Sequence, residues 1–157
     1  MSEQAKTEIL QMFRDGGSIP VDLFQMVTGR RLGGGTTRDV FEYRLDDSLV
    51  IKYETNARSF ANVMEWEAWQ KLTYDRELSK WLAPCHHISP CGSILIQSKT
   101  EPLPRAKYPK KIPKLFHDTK YQNWGWWKKR IVCHDYALLG TFEGGNPSRL
   151  VNADWWG

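Results

Sequence analysis

Three consecutive glycines, Gly33, Gly34 and Gly35, open an alternating run of residues. Glycine lacks a Cβ, so its backbone N–H groups can approach phosphate oxygens closely. With Val40 the stretch fits the spacing G-x-G-x-x-G-x-V, except that Arg38 stands where the third glycine belongs. The stretch is therefore a candidate phosphate-binding loop, with a plain flexible turn as the alternative.

The strands that must position this loop are predicted by alternation. The sequence RDVFEY (38–43) alternates, Asp46-Asp47-Ser48 supplies a turn, and LVIKYE (49–54) returns. SILIQSK (93–99) predicts a further strand. The glycines thus lie between two strands, which argues against a Walker loop or a dinucleotide-binding turn, because both of these open a helix.

Helical spacing predicts the remaining elements. The apolar positions are Ala5, Ile9, Met12 and Phe13 in a helix capped by Ser2 and ended by Asp15-Gly16-Gly17; Val21, Phe24 and Val27 in a short helix started by Ser18 and Pro20; and Val63, Trp66, Trp69 and Leu72 in a helical stretch over 59–82. Residues 101–114 predict a proline-rich connector, and the tryptophan-bearing residues 115–129 predict a further helix.

The glycine-rich hairpin and the lysine of LVIK, Lys52, are similar to the corresponding motifs of protein kinases. His134-Asp135 resembles their catalytic-loop His-Asp, and Asp154-Trp155 in LVNADWWG resembles the metal-binding Asp-Phe. The motifs follow in the same order over about residues 28–157. The chain therefore resembles the protein kinases, and among them the short kinase-like proteins of bacteriophages.

This resemblance implies a helix glutamate that orients Lys52. Glu65 is followed by Ala68, Trp69 and Leu72 at packing positions, whereas the equivalent neighbours of Glu67 are polar. Residues two apart on a helix point about 200° apart, so only one of the two glutamates can face the lysine. Glu65 is the predicted partner, within about 2.7–4 Å of Lys52.

The fold implied is a miniature kinase-like α+β fold, in which residues 28–99 form a twisted antiparallel N-lobe sheet with a single helix, 59–72, packed on it. Its expected parts are an N-terminal helical extension (1–27), an N-lobe (28–99), a Pro/Lys-rich connector (100–114) and a reduced C-lobe (115–157). The kinase-like positions are Lys52, Glu65, Asp135 and Asp154 for catalysis, with Mg²⁺ on Asp154, and Gly33, Gly34, Gly35, Arg38, Val40 and Lys52 for the nucleotide.

Departures from the kinase pattern argue against catalysis. Gly140 stands where kinases place an asparagine that holds a second Mg²⁺, and little sequence follows Asp154. Arg38 could pair with a phosphate or fill the nucleotide site itself. The structural alternatives are that Lys52 is a solubilising residue of an edge strand and that His134 and Asp135 are a polar pair that braces a loop.

The composition favours one small soluble domain in a reducing compartment. The chain has 157 residues, a net charge of +4 and three cysteines. No apolar run approaches the ~20 residues of a membrane span, and no secretory signal is evident. We expect a cytoplasmic location, which is the host cytosol if a phage encodes the chain. A zinc site at Cys85, His87, Cys91 and Cys133 is a weaker alternative, because paired C-x₂-C motifs are missing.

Tryptophans and lysines form the candidate partner surface. Adjacent tryptophans cannot both face one core, so one of each pair is expected at the surface. The residues assigned to partner binding are Trp126, Trp127, Lys110, Lys111, Lys128, Trp155 and Trp156.

The sequence therefore predicts a degenerate kinase-like protein that binds a host protein or nucleoprotein complex, with no membrane partner and no required cofactor. An active kinase using ATP and Mg²⁺ is the first alternative. A nucleic-acid-binding module is the second, and it is less favoured because no reading element was identified.

Overall fold

The computed structural model describes residues 2–14, 21–55, 59–139 and 145–157, and these residues form an α+β fold. They lie in two compact units: Met1–Trp66 with Pro84–Lys99, and Glu67–Ala83 with Thr100–Gly157. The predicted helix end at 15–17, the predicted helix start at 18–20, and Gly140 lie outside the described residues.

The first unit is built on a five-stranded antiparallel sheet with the order β1-β2-β3-β5-β4. The strands are β1 (Thr28–Gly34), β2 (Arg38–Tyr43), β3 (Leu49–Glu54), β4 (Cys85–Ile88) and β5 (Ile94–Ser98). The strands that alternation predicted, the β2–β3 hairpin and β5, are confirmed. The antiparallel α+β character is confirmed as well.

Three helices accompany the sheet: α1 (Glu3–Arg14), α2 (Val21–Val27) and α3 (Ala61–Leu72). The Ser2 hydroxyl accepts a hydrogen bond from the Ala5 N–H at 3.2 Å, as the predicted cap of α1 requires. Helix α3 begins where the Glu54 carboxylate, at the end of β3, accepts the N–H groups of Ala61 and Asn62 at 3.3 and 3.1 Å. A negative charge at a helix N-terminus is stabilising.

Helix α2, which belongs to the predicted N-terminal helical extension, packs on the sheet as well. Phe24 of α2 contacts Phe41 and Tyr53, with ring centroids 5.8 and 4.9 Å apart. Alternation along β3 puts Ile51 and Tyr53 on one face of the sheet and Lys52 on the other. The first face holds the core with α2: Val27, Tyr43, Leu45, Ile51, Ile94 and Ile96.

The predicted helical stretch over 59–82 is too long, because α3 ends at Leu72. The Asp75 carboxylate accepts the N–H groups of Glu77 and Leu78 at 2.8 and 3.0 Å. This side chain bonds to backbone groups that a continuing helix would use, and it favours a turn instead. Only a three-residue 3₁₀ helix, Ser79–Trp81, follows.

The second unit has two short antiparallel ribbons: β6 (Lys111–Pro113) with β9 (Leu150–Asn152), and β7 (Trp124–Trp127) with β8 (Arg130–Cys133). The predicted helix over 115–129 is therefore wrong. Aromatic residues favour strands, and at Gly125 an added Cβ would lie 2.6 Å from Thr100 Oγ1. Strand β7 thus depends on a tertiary contact that helical spacing does not reveal.

Candidate functional site

The candidate site of the first unit is a buried charge cluster on the sheet face that carries Lys52. Lys52 Nζ donates to Glu65 Oε1 at 2.8 Å, and Gln97 Nε2 donates to the same oxygen at 3.0 Å. Arg38 Nη1 donates to the other oxygen, Oε2. The expected contact between Lys52 and Glu65 is confirmed, and the competitor Glu67 is exposed.

Three elements bring these residues together. In the register of the sheet, Val40 lies opposite Lys52, and Arg38 lies opposite Glu54. All four therefore point to the same face, where α3 presents Glu65. Asn62 of α3 donates to the carbonyl oxygens of Lys52 and Ser93 at 3.2 and 3.0 Å, which ties the helix to the sheet.

The cluster is almost fully removed from solvent. Glu65 is 0%, Lys52 4% and Arg38 6% exposed. Burial raises the pKa of Glu65, but the adjacent charges of Lys52 and Arg38 and their hydrogen bonds outweigh burial and lower that pKa to about 2. Glu65 is thus held as a carboxylate that neutralises one of two neighbouring cations.

The three predicted loop glycines differ in their surroundings. At Gly33 and Gly35 an added Cβ would meet nothing within 4 Å, whereas at Gly34 it would meet Arg31, Asp39 and the Arg38 backbone. Contacts within the chain therefore do not require glycine at 33 and 35. The open space there leaves room for a phosphate to approach the backbone.

Arg38 is the residue that fits a nucleotide site poorly. Its guanidinium bonds to Glu65 and, at 3.4 Å, to Asn62 Oδ1. A phosphate that drew Arg38 away from Glu65 would break a buried pair, and breaking such a pair is strongly destabilising. The residues present fit a phosphate at the glycines and do not fit one at Arg38.

Among the predicted catalytic-like residues of the second unit, Asp135 and Asp154 are exposed. His134 is held by two hydrogen bonds. His134 Nε2 lies 2.7 Å from the Gln122 carbonyl oxygen, and His134 Nδ1 lies 2.7 Å from Thr100 Oγ1. A carbonyl oxygen only accepts, so Nε2 carries a proton. Cys133 Sγ donates to the Asp135 carbonyl at 3.2 Å, and Thr119 Oγ1 donates to that of Asp154. These bonds fix the backbone at both aspartates.

The predicted partner-binding tryptophans divide into half-buried and exposed members. Trp155 is half-buried: it stacks on Tyr121 at 5.8 Å, packs edge-on against Tyr108 and Trp124, and donates its Nε1–H to the Pro109 carbonyl at 2.7 Å. Trp156 is 54% and Trp126 37% exposed, so each adjacent pair has an exposed member, as expected. Lys110, Lys111 and Lys128 are exposed.

Several residues of these sites were missed by the sequence analysis. Asn62, which accepts from Arg38, and Gln97, which donates to Glu65, complete the cluster, and only their contacts in the folded protein reveal them. A cavity of about 350 Å³ in the second unit was also missed; it is lined in part by Thr100, Tyr108, Tyr121, Trp124 and His134.

Within the described part of the chain, no three His, Cys, Asp or Glu side chains are grouped as metal ligands would be. No helix among the described residues is long and apolar enough to cross a membrane. In comparisons with known proteins, no family model matches this chain and no curated protein shows significant similarity to it.

Proposed function

We propose that this chain is a kinase-like protein of bacteriophage type that does not transfer phosphate and acts by binding a host protein. The observation that carries this proposal is the burial of Arg38 against Glu65. Support for the kinase-like part comes from α3 lying between β3 and β4 in the chain and from the Lys52–Glu65 pair.

The Arg38 contact argues against ordinary nucleotide binding. In kinases the lysine of the third strand pairs with phosphate oxygens while a helix glutamate orients it. Here the glutamate holds a second cation from the position of the third glycine. Removing one partner of a buried pair costs about 3–5 kcal/mol, and nucleotide binding would have to offset that cost.

Metal placement argues in the same direction. Phosphoryl transfer depends on bound Mg²⁺ that neutralises the developing charge, and kinases hold this metal with an aspartate and an asparagine. Asp154 corresponds to the aspartate, but Gly140 stands at the position of the asparagine. Glycine has no side chain that could bind a metal.

An active phosphotransferase remains the second candidate function, and one observation favours it. The unobstructed space at Gly33 and Gly35 fits close approach of a phosphate to the loop. In that case Lys52 would contact the phosphates and Asp135 would accept the proton of the substrate hydroxyl.

Calorimetry with Mg-ATP separates the two candidates. We expect the wild-type chain to show no measurable binding and the Arg38→Gly variant, which restores the third glycine, to gain it. The matched control is Arg31→Gly, which removes an exposed arginine from β1 and should gain nothing. Adding Lys52→Ala to Arg38→Gly should abolish the gained binding, and circular dichroism should verify that each variant is folded.

The opposite result is equally clear. Tight Mg-ATP binding by the wild type, together with radiolabel transfer that Asp135→Asn abolishes, would restore the enzyme and overturn the proposal.

The proposed host-protein surface includes Trp156. Its indole is exposed, and the Lys120 ammonium lies 5.4 Å from the ring centroid. Exposed tryptophans often anchor protein interfaces, and flanking lysines mainly increase association rates. Trp156→Ala should therefore weaken a captured complex by about 2 kcal/mol, whereas Lys110→Ala with Lys111→Ala should mainly slow association. The binding role would be contradicted if Lys52→Ala abolished the biological effect while Trp156→Ala left it intact.

A further inference from the structure

The tip of the β7–β8 hairpin combines charge with an unfavourable backbone. Trp127 pairs with Arg130 across a two-residue turn formed by Lys128 and Lys129. Both lysines have positive φ, 42° and 66°. Such turns favour Asn-Gly, because the left-handed region brings Cβ close to a backbone carbonyl oxygen, and Gly and Asn tolerate that region best. Stability of the turn therefore does not account for two lysines at this place.

The same tip is a local concentration of positive charge. Lys128, Lys129 and Arg130 are consecutive and exposed. Among the described residues, none of the three is in an ion pair with a carboxylate. Residues 100–157 contain ten Lys and Arg against five Asp and Glu, and no acidic residue occurs between Asp118 and Asp135.

The indole ring of Trp127 lies directly beside two of these cations. The Lys128 ammonium and the Arg130 guanidinium lie 4.8 and 4.9 Å from the centroid of Trp127. Trp126, on the opposite face of β7, is exposed. The backbone of Trp126 exchanges two hydrogen bonds with that of Glu101, at 2.8 and 2.9 Å.

We propose that this hairpin tip binds single-stranded nucleic acid. The phosphates contact Lys128, Lys129 and Arg130, and a base stacks on the exposed indole of Trp126. Cations that follow the backbone, combined with aromatic rings on which bases stack, are the two components by which proteins hold single strands. An acidic peptide would satisfy the cations but would supply no planar group for the indole. The sequence analysis lacked a reading element because it placed these residues on a helix.

This inference does not rest on the kinase-like proposal, since it uses only residues of the hairpin. A fluorescein-labelled oligothymidylate of about 16 nucleotides is the probe, and anisotropy is the measurement. The wild type should bind with a salt dependence of about two counterions, as expected for about three phosphate contacts on a single strand. Trp126→Ala should weaken binding about tenfold, within the range measured for loss of one base stack.

The decisive variant is Lys128→Asn with Lys129→Gly. It removes two charges and also gives the turn its preferred residues, so the melting temperature should stay the same or rise while affinity falls at least tenfold. Loss of binding therefore cannot be attributed to unfolding. The charge-matched control is Lys71→Gln with Lys80→Gln, which changes two exposed lysines of the same unit and should leave affinity unchanged.

Three results would each overturn the inference. One is the absence of oligonucleotide binding by the wild type. Another is equal affinity in the Asn-Gly variant. The third is a poly-glutamate peptide that binds as tightly as the oligonucleotide with no effect of Trp126→Ala, which would assign the tip to an acidic protein. The Mg-ATP measurements are independent of all three.

Discussion

Glu65 is completely buried and accepts hydrogen bonds from Lys52, Arg38 and Gln97. Replacing it with glutamine would remove the carboxylate that both buried cations contact. We expect Glu65→Gln to lower the free energy of unfolding by about 3–5 kcal/mol in urea titrations. Glu67→Gln, an exposed change on the same helix, should stay within about 0.5 kcal/mol. Equal effects of the two changes would contradict the central role of Glu65.

The same carboxylate makes stability depend on pH. Its folded-state pKa, about 2, lies below the ordinary value of 4.5 for a glutamate. The associated stabilisation, on the order of 3 kcal/mol, is therefore complete above the unfolded pKa and is lost as the pH falls toward the folded one. Urea titrations across this range should show a steeper loss in the wild type than in Glu65→Gln.

Cys91 is the exposed cysteine in the described residues, whereas Cys85 and Cys133 are buried. Partial burial raises the pKa of Cys91, but hydrogen bonds from the Ser89 and Ser93 hydroxyls outweigh it and lower that pKa. Because the thiolate is the reactive form, iodoacetamide should modify Cys91 first in the folded protein. Mass spectrometry showing Cys85 modified at the same rate would refute this expectation.

Strand β7 illustrates how a single missing Cβ determines an element. A Cβ at Gly125 would lie 2.6 Å from Thr100 Oγ1 and 2.9 Å from the Glu101 carbonyl oxygen. Gly125→Ala should therefore cost about 1–3 kcal/mol of stability in thermal melts. Gly33→Ala is the matched control: a Cβ there meets nothing, and alanine limits the unfolded chain, so the variant should be equally or more stable.

The turn between β7 and β8 should respond in the opposite direction. Lys128 and Lys129 both lie in the left-handed region, where an ordinary residue costs about 1–2 kcal/mol, and Asn-Gly replaces them with the two residues that tolerate it best. We expect a net gain of about 1 kcal/mol in the free energy of unfolding. A loss of stability would mean that the lysines contribute contacts that offset the strain.

At the scale of the whole molecule, the sequence predicted those elements whose formation depends on residues close together in the chain. The β2–β3 hairpin and β5 follow from alternation, whereas the pairing of Lys52 with Glu65 was implied by the resemblance to kinases, and helical spacing selected Glu65 over Glu67. Arg38 was undecided, because its partner Glu65 lies 27 residues away in sequence. The packing of α2 on the sheet and the strand at 124–127 were missed, because both depend on tertiary contacts.

Truncation should reveal which residues complete the first unit. A chain ending at Lys99 contains all five strands, whereas one ending at Gly92 lacks β5. The first should unfold cooperatively in circular dichroism melts. The second should not, because β3 and β4 would both lose their β5 partner. Cooperative unfolding of both chains would contradict this dependence.

The position of β5 also determines when the protein can fold during its synthesis. Although it is the last of the five strands to be translated, it lies between β3 and β4 in the sheet. A ribosome that has released residues up to β4 therefore carries a nascent chain in which β3 presents an open, hydrogen-bonding edge. Closure of the sheet must await Ile94–Ser98, and until then this edge of the nascent chain is open to pairing with other chains.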